Sequence, residues 1–123
     1  MPPTPLTNLL ESIQAAAPPQ TSPAPSTDDL RPWRDRIDAL DRALVVLLNE
    51  RVVCANEIGN IKKHLGLPVY VPTRETAVIN NVVTFNNGPL SDQAIRRLFE
   101  RIIDETRSLE RQRYQDDPPL DPT

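Results

Sequence analysis

From Leu30 to Leu65 the apolar residues keep a seven-residue repeat that sets the architecture of the whole chain. One register reads Leu30, Ile37, Leu44, Arg51, Ile58, Leu65, and the other reads Trp33, Leu40, Leu47, Cys54, Ile61. Every member is apolar except Arg51. Apolar spacing of three and four residues, sustained over this length, predicts a single long amphipathic helix. Asp28 or Asp29 supplies its N-cap, Pro32 falls where a first-turn proline is tolerated, and Gly66 followed by Pro68 ends it. Such a helix is a rod of roughly 54 Å at about 1.5 Å per residue. A foldable region this small cannot cover the rod along its whole length, so part of the seam is left as a partner surface. The simplest partner is a second copy of the chain, which predicts a homodimer.

After the long helix, Val69-Tyr70-Val71-Pro72 reads as extended or turn-like. A second helix begins near Thr73 and turns Ala77, Val78, Val82 and Phe85 inward, despite its β-branched content. Asn86-Asn87-Gly88-Pro89 is a stop and turn. Ser91 caps a third helix whose inward face carries Ile95, Leu98, Phe99, Ile102, Ile103, Thr106, Leu109 and Glu110. No second strand signal, Gly-rich loop or internal repeat is present, so the fold class is all-α: three helices per chain, one long and two shorter, in an intertwined helical homodimer.

Prolines mark the limits of this region. Seven of the 14 lie within residues 1–30 and three in the last six. Residues 1–28 are expected to be a Pro-rich disordered tail and residues 115–123 a disordered acidic tail, leaving 29–114 as the folded domain. Residues 6–17 have the pattern of one or two amphipathic turns, too short to repay helix nucleation alone.

All 14 Lys and Arg lie between residues 31 and 113, against 11 acids there, while the flanks hold six acids and no base. An acidic chain with a mildly basic centre lacks the broad basic face that nucleic-acid binding needs, but it suits a small anionic ligand. One cysteine, Cys54, excludes an intramolecular disulfide and suits a reducing compartment. With no signal-peptide pattern and no membrane-length apolar run, a soluble cytoplasmic protein is expected.

Several polar residues do not belong to a plain helical bundle. Arg51 interrupts the seam, and a buried guanidinium needs an anion, either a protein carboxylate such as Glu50 or Glu57 or a ligand. Arg34 and Lys62 are four heptads apart, about 42 Å along one helix, so they meet one ligand only across an antiparallel dimer. Arg74 opens the second helix against its dipole, which hints at another duty for the Arg74-Glu75 pair. Thr106 and Glu110 are one turn apart on the third helix, where a threonine often simply bonds to the preceding turn. A single histidine, His64, provides neither a metal set nor a Ser/His/Asp triad. No nucleophile, metal or cofactor is expected.

The segment Trp33–Glu75 resembles the N-terminal half of the all-helical, AroQ-class chorismate mutases. The matching pieces are Arg34-x-x-Ile37-Asp38-x-Leu40-Asp41, Leu48-x-Glu50-Arg51, Ile58-Gly59-x-x-Lys62 and Pro72-x-Arg74-Glu75, with Leu98-Phe99-x-x-Ile102-Ile103-x-x-Thr106 farther on. The resemblance implies the Claisen rearrangement of chorismate to prephenate, toward phenylalanine and tyrosine, in sites built from both chains. It also implies that Arg34, reaching over from the other protomer, holds the two carboxylates together with Arg51 and Lys62, reinforced by Arg74. Glu75 then accepts the ring hydroxyl, Thr106 sits near a carboxylate, and Glu110 works with Lys62 at the ether oxygen. A unimolecular rearrangement needs positioning and charge stabilisation rather than a nucleophile, which agrees with the residues present.

Two positions depart from the commoner family pattern. Val71 stands where many members carry an acid near the ring hydroxyl. Glu110 stands where many carry Gln, and a Glu donates to the ether oxygen only when protonated. Burial raises its pKa and Lys62 lowers it, two opposed effects whose balance the sequence does not fix. Because only the protonated form donates, the expectation is activity that falls as pH rises, a profile that Glu110→Gln flattens and that a constant rate over about pH 5–8 contradicts. The competing readings are an isochorismate-pyruvate lyase of the same fold and a non-catalytic helical dimer or regulatory module. A partner enzyme of the same pathway that enhances activity is compatible with either catalytic reading.

Overall fold

The computed structural model describes residues 5–116. They form α1 (Pro5–Ala15), a 3-10 turn (Thr27–Asp29), α2 (Leu30–Leu65), α3 (Pro72–Phe85) and α4 (Asp92–Asp116), with no strand among the described residues. The three helices expected from the sequence are therefore α2, α3 and α4. The chain divides into two compact units, residues 1–51 and residues 52–123.

In the first unit, residues expected to be a solvated tail include the 11-residue α1. Its Leu6, Leu9 and Ile13 are half-buried on one stripe, at helical spacing. The segment before α2 is also tied down. Asp29 accepts from the Ser22 backbone N–H (3.1 Å) and hydroxyl (2.8 Å) through Oδ1, and from the Ser26 N–H (2.9 Å) through Oδ2. The Trp33 indole N–H donates to the Thr21 hydroxyl at 3.0 Å. Ser26, not Asp28 or Asp29, is the N-cap, and Asp29 completes a capping box from inside the turn. The helix starts one 3-10 turn earlier than its apolar period shows, which moves the cap back to the serine. Residues 1–4 and 117–123 of the two expected tails lie outside the described residues.

In the second unit, α2 ends in a Schellman motif. The Leu67 N–H donates to the Lys62 carbonyl (2.9 Å), the Gly66 N–H donates to the Lys63 carbonyl (3.3 Å), and Gly66 has φ +68°. Residues 66–71 then lead to Pro72 in the first turn of α3. The turn between α3 and α4 is organised by Asn86, whose amide donates to the Leu90 carbonyl (2.8 Å) and Asp92 Oδ1 (2.9 Å), with a cis Gly88-Pro89 bond between. Ser91 caps α4 by accepting from the Ala94 N–H at 3.1 Å, as expected.

α3 packs on α4, and Ile103 and Thr106 of α4 are buried. Ala77, Val78 and Val82 of α3 and Ile95, Phe99 and Ile102 of α4 are half-buried. Phe85, expected inward, is 89% exposed because α3 ends at this residue and the chain turns away at Asn86. Leu98 and Leu109 are also exposed, because α3 covers only part of the broad apolar stripe of α4. The α2 seam is uncovered as well, from Leu47 at 38% to Leu65 at 66%, and Cys54 is exposed rather than packed. Among the described residues, no helix is long and apolar enough to cross a membrane.

Candidate functional site

The second unit contains a cavity of about 670 Å³ between the C-terminal turns of α2, the 66–71 loop and the last turns of α4. Asn56, Gly59, Asn60 and Lys63 line it from α2, at the three- and four-residue spacing of one helix face. Val69 and Tyr70 line it from the loop, and Arg107, Glu110, Arg111 and Arg113 from α4. Four cations and one carboxylate therefore line this space, which gives it a positive field suited to an anion. The Asn56 amide oxygen is buried and has no hydrogen-bond partner among the described residues.

One polar linkage fixes the cavity wall. Arg107 forms an ion pair with Glu75, both side chains about one-third exposed, and its guanidinium carbon lies 4.2 Å from the centroid of the Tyr70 ring. Arginine can do both at once, because its flat face stacks on a ring while its edge meets a carboxylate. The loop, the first turn of α3 and α4 are thus joined through a single side chain.

The expected site residues divide by location. Glu110 lies on the cavity wall, and Glu75 is held beside it through Arg107. The Lys62 ammonium donates to the carbonyl of Val69, a cavity residue, at 3.2 Å. Val71 is the N-cap of α3 and has no side chain able to cap; its carbonyl accepts from the Arg74 N–H at 3.0 Å. The Arg74 side chain is exposed at the start of α3. Thr106 is buried, and its hydroxyl donates to the Ile102 carbonyl one turn earlier at 2.9 Å. Arg34 and Arg51 belong to the first unit, where Arg34 is exposed and Arg51 is half-buried and engaged in a polar interaction.

Arg107 and Tyr70 were not expected at the site. Arg107, Glu110 and Arg111 are spaced by three and four residues, so the face was readable once Glu110 was placed. Tyr70 carries no such signal, because its role depends on the path of the 66–71 loop.

The family model described as chorismate mutase type II matches residues 33–111, which span nearly all of α2 and the whole of α3. The bifunctional chorismate mutase/prephenate dehydratase of Neisseria gonorrhoeae is 40% identical over 82 residues, covering 67% of this chain and 22% of that protein. The chain spans about a quarter of the length of such bifunctional relatives. A 4-amino-4-deoxychorismate mutase of Streptomyces pristinaespiralis is 38% identical over 96 residues, covering 77% of this chain and 74% of that protein. The solved structure of chorismate mutase (Form II) from Thermus thermophilus superposes with a TM-score of 0.65 at 35% identity, covering 67% of this chain and 93% of that one.

Proposed function

The chain belongs to the chorismate mutase type II family, and from that premise we propose that it catalyses the rearrangement of chorismate to prephenate in a homodimer. The observation that carries this reading is the family match over α2–α4 together with a cation-lined cavity that holds Glu110 and, through Arg107, Glu75. Residues 29–114 form the catalytic domain.

The reaction breaks the ether C–O bond of the substrate and forms a C–C bond within the same molecule. Its barrier falls when the enolpyruvyl arm is held over the ring and when negative charge developing on the ether oxygen is stabilised. Arg51 and Lys62 of one protomer and Arg34 of the other hold the two carboxylates, with Arg74 adding positive charge. Lys62 and Glu110 face the ether oxygen. Glu75 accepts the ring hydroxyl, where Val71 leaves a second polar contact either absent or to the backbone, and Thr106 borders a carboxylate. The exposed apolar seam of α2 supports the dimer, since a second copy supplies both its cover and the Arg34 that a shared site calls for. The lone Cys54 fits a place in the cytoplasm. The fused relatives are named for a second activity of the same pathway, which supports association with a partner enzyme of that pathway.

A second substrate is suggested by the Streptomyces relative, which this chain covers over three-quarters of its length. That substrate carries an amine in place of the ring hydroxyl. Adding the purified chain to each compound and following its consumption, with the product identified, tests both readings. Consumption of chorismate with formation of prephenate is the expected result. No turnover of chorismate overturns the proposal.

A further inference from the structure

Glu75 is not an isolated carboxylate: its charge is matched by Arg107, which is itself fixed against Tyr70 on the cavity wall. We propose that Arg107 is a specificity-determining residue, which by pairing with Glu75 makes the site select a neutral hydroxyl over a cationic amine on the substrate ring. The inference rests on the reading above that Glu75 receives the ring substituent.

The argument concerns what the pair leaves available. A carboxylate has two oxygens and about four acceptor positions. The guanidinium engages Glu75 through Oε1, which leaves Oε2 able to accept a hydrogen bond from a hydroxyl. That bond needs acceptor geometry but no net charge. An aliphatic amine is protonated at neutral pH, as a lysine is, and gains from a carboxylate chiefly when that charge is uncompensated. With Arg107 beside Glu75, the ammonium meets a neutralised pair and a nearby like charge. The other cations on the wall, Lys63, Arg111 and Arg113, add to the same penalty. Val71 supplies no second carboxylate at this edge. Arg107 thus acts through Glu75 and the local field, as a repulsive element against the wrong substrate.

The test compares kcat/KM for chorismate and for 4-amino-4-deoxychorismate in the full chain, in Arg107→Met, in Arg107→Gln and in Arg107→Lys. The two neutral variants are of different polarity, so one folded neutral variant suffices, and helical circular dichroism identifies it. Wild type is expected to prefer chorismate. The preference should move toward the amine by about tenfold or more in the neutral variants and by less than about threefold in Arg107→Lys, which keeps the charge. A purely structural role for Arg107 lowers both rates without moving their ratio, and that result overturns the proposal. An equal shift in Arg107→Lys also overturns it, as does a wild-type preference for the amine. Absence of turnover of either substrate by wild type instead overturns the mutase reading and this inference with it.

Discussion

The Lys62 ammonium donates to the Val69 carbonyl at 3.2 Å, so the side chain is already extended over the 66–71 loop. That bond is at a partly exposed position, where a single neutral acceptor contributes about 0.5–1.5 kcal/mol to stability. Its proposed work at the ether oxygen is larger, because a well-placed donor to developing charge is worth about 10²–10³ in rate. Lys62→Ala should therefore lower kcat by about 10²–10³ while its urea midpoint drops only slightly. Arg51→Ala should behave alike, and near-normal kcat in either variant removes that residue from the site. At this scale the sequence was informative where a residue broke a pattern. Arg51 interrupts the apolar seam, Glu75 closes a family-like string, and Glu110 lies one turn beyond another. For Arg107 it showed only a helix face shared with Glu110, because the partners Glu75 and Tyr70 lie more than 30 residues away in the chain. Nothing local to α4 separates such an arginine from a solvated one.

Elements were readable where the chain states its own stops. Gly66, Asn86-Asn87-Gly88-Pro89 and Ser91 each carry turn or cap chemistry, and α2, α3 and α4 begin or end at them. Gly66 has φ +68°, and a Cβ built there meets no atom within 4 Å, so the cost of a side chain is purely conformational. Gly66→Ala should cost about 1–2 kcal/mol in urea denaturation, and an unchanged midpoint means the Schellman motif is dispensable. The start of α2 was less readable, because Asp28 and Asp29 both looked like caps and only the fold reveals Ser26. Hydrogen bonds from Ser26 and then Ser22 hold the Asp29 carboxyl below its usual value of 3.8. A depressed pKa means that the capping box is intact above the ordinary carboxylate range and is lost as pH falls through the lowered folded value. Helicity followed by circular dichroism from about pH 6 to 2 should show an acid limb that Asp29→Asn weakens. An identical limb in both proteins assigns the acid transition to other carboxylates. The outward Phe85, Leu98 and Leu109 were misjudged because a helical period identifies a face but not how much of it a neighbour covers.

At the scale of the molecule, the uncovered seam of α2 is the dominant feature. Leu30, Ile37, Leu44 and Ile58 are about half exposed and Leu65 about two-thirds, and a row of large apolar side chains left in water marks a partner surface. The proposed dimer covers it, and Leu44→Asp should therefore yield a monomer by sedimentation with chorismate turnover lost in parallel. A sharper test follows from the proposed origin of the cations, Arg34 from one protomer and Lys62 from the other. Arg34→Ala and Lys62→Ala, each nearly inactive alone, place both defects in one of the two sites of a mixed dimer and leave the other site intact. After subunit exchange of an equal mixture, half of the dimers are mixed and each has one working site. Turnover should then rise to about a quarter of the wild-type value, as isologous symmetry requires. If the mixture stays at the average of the two separate variants while exchange is confirmed by mass, each site is complete within one chain, and the shared-site reading fails.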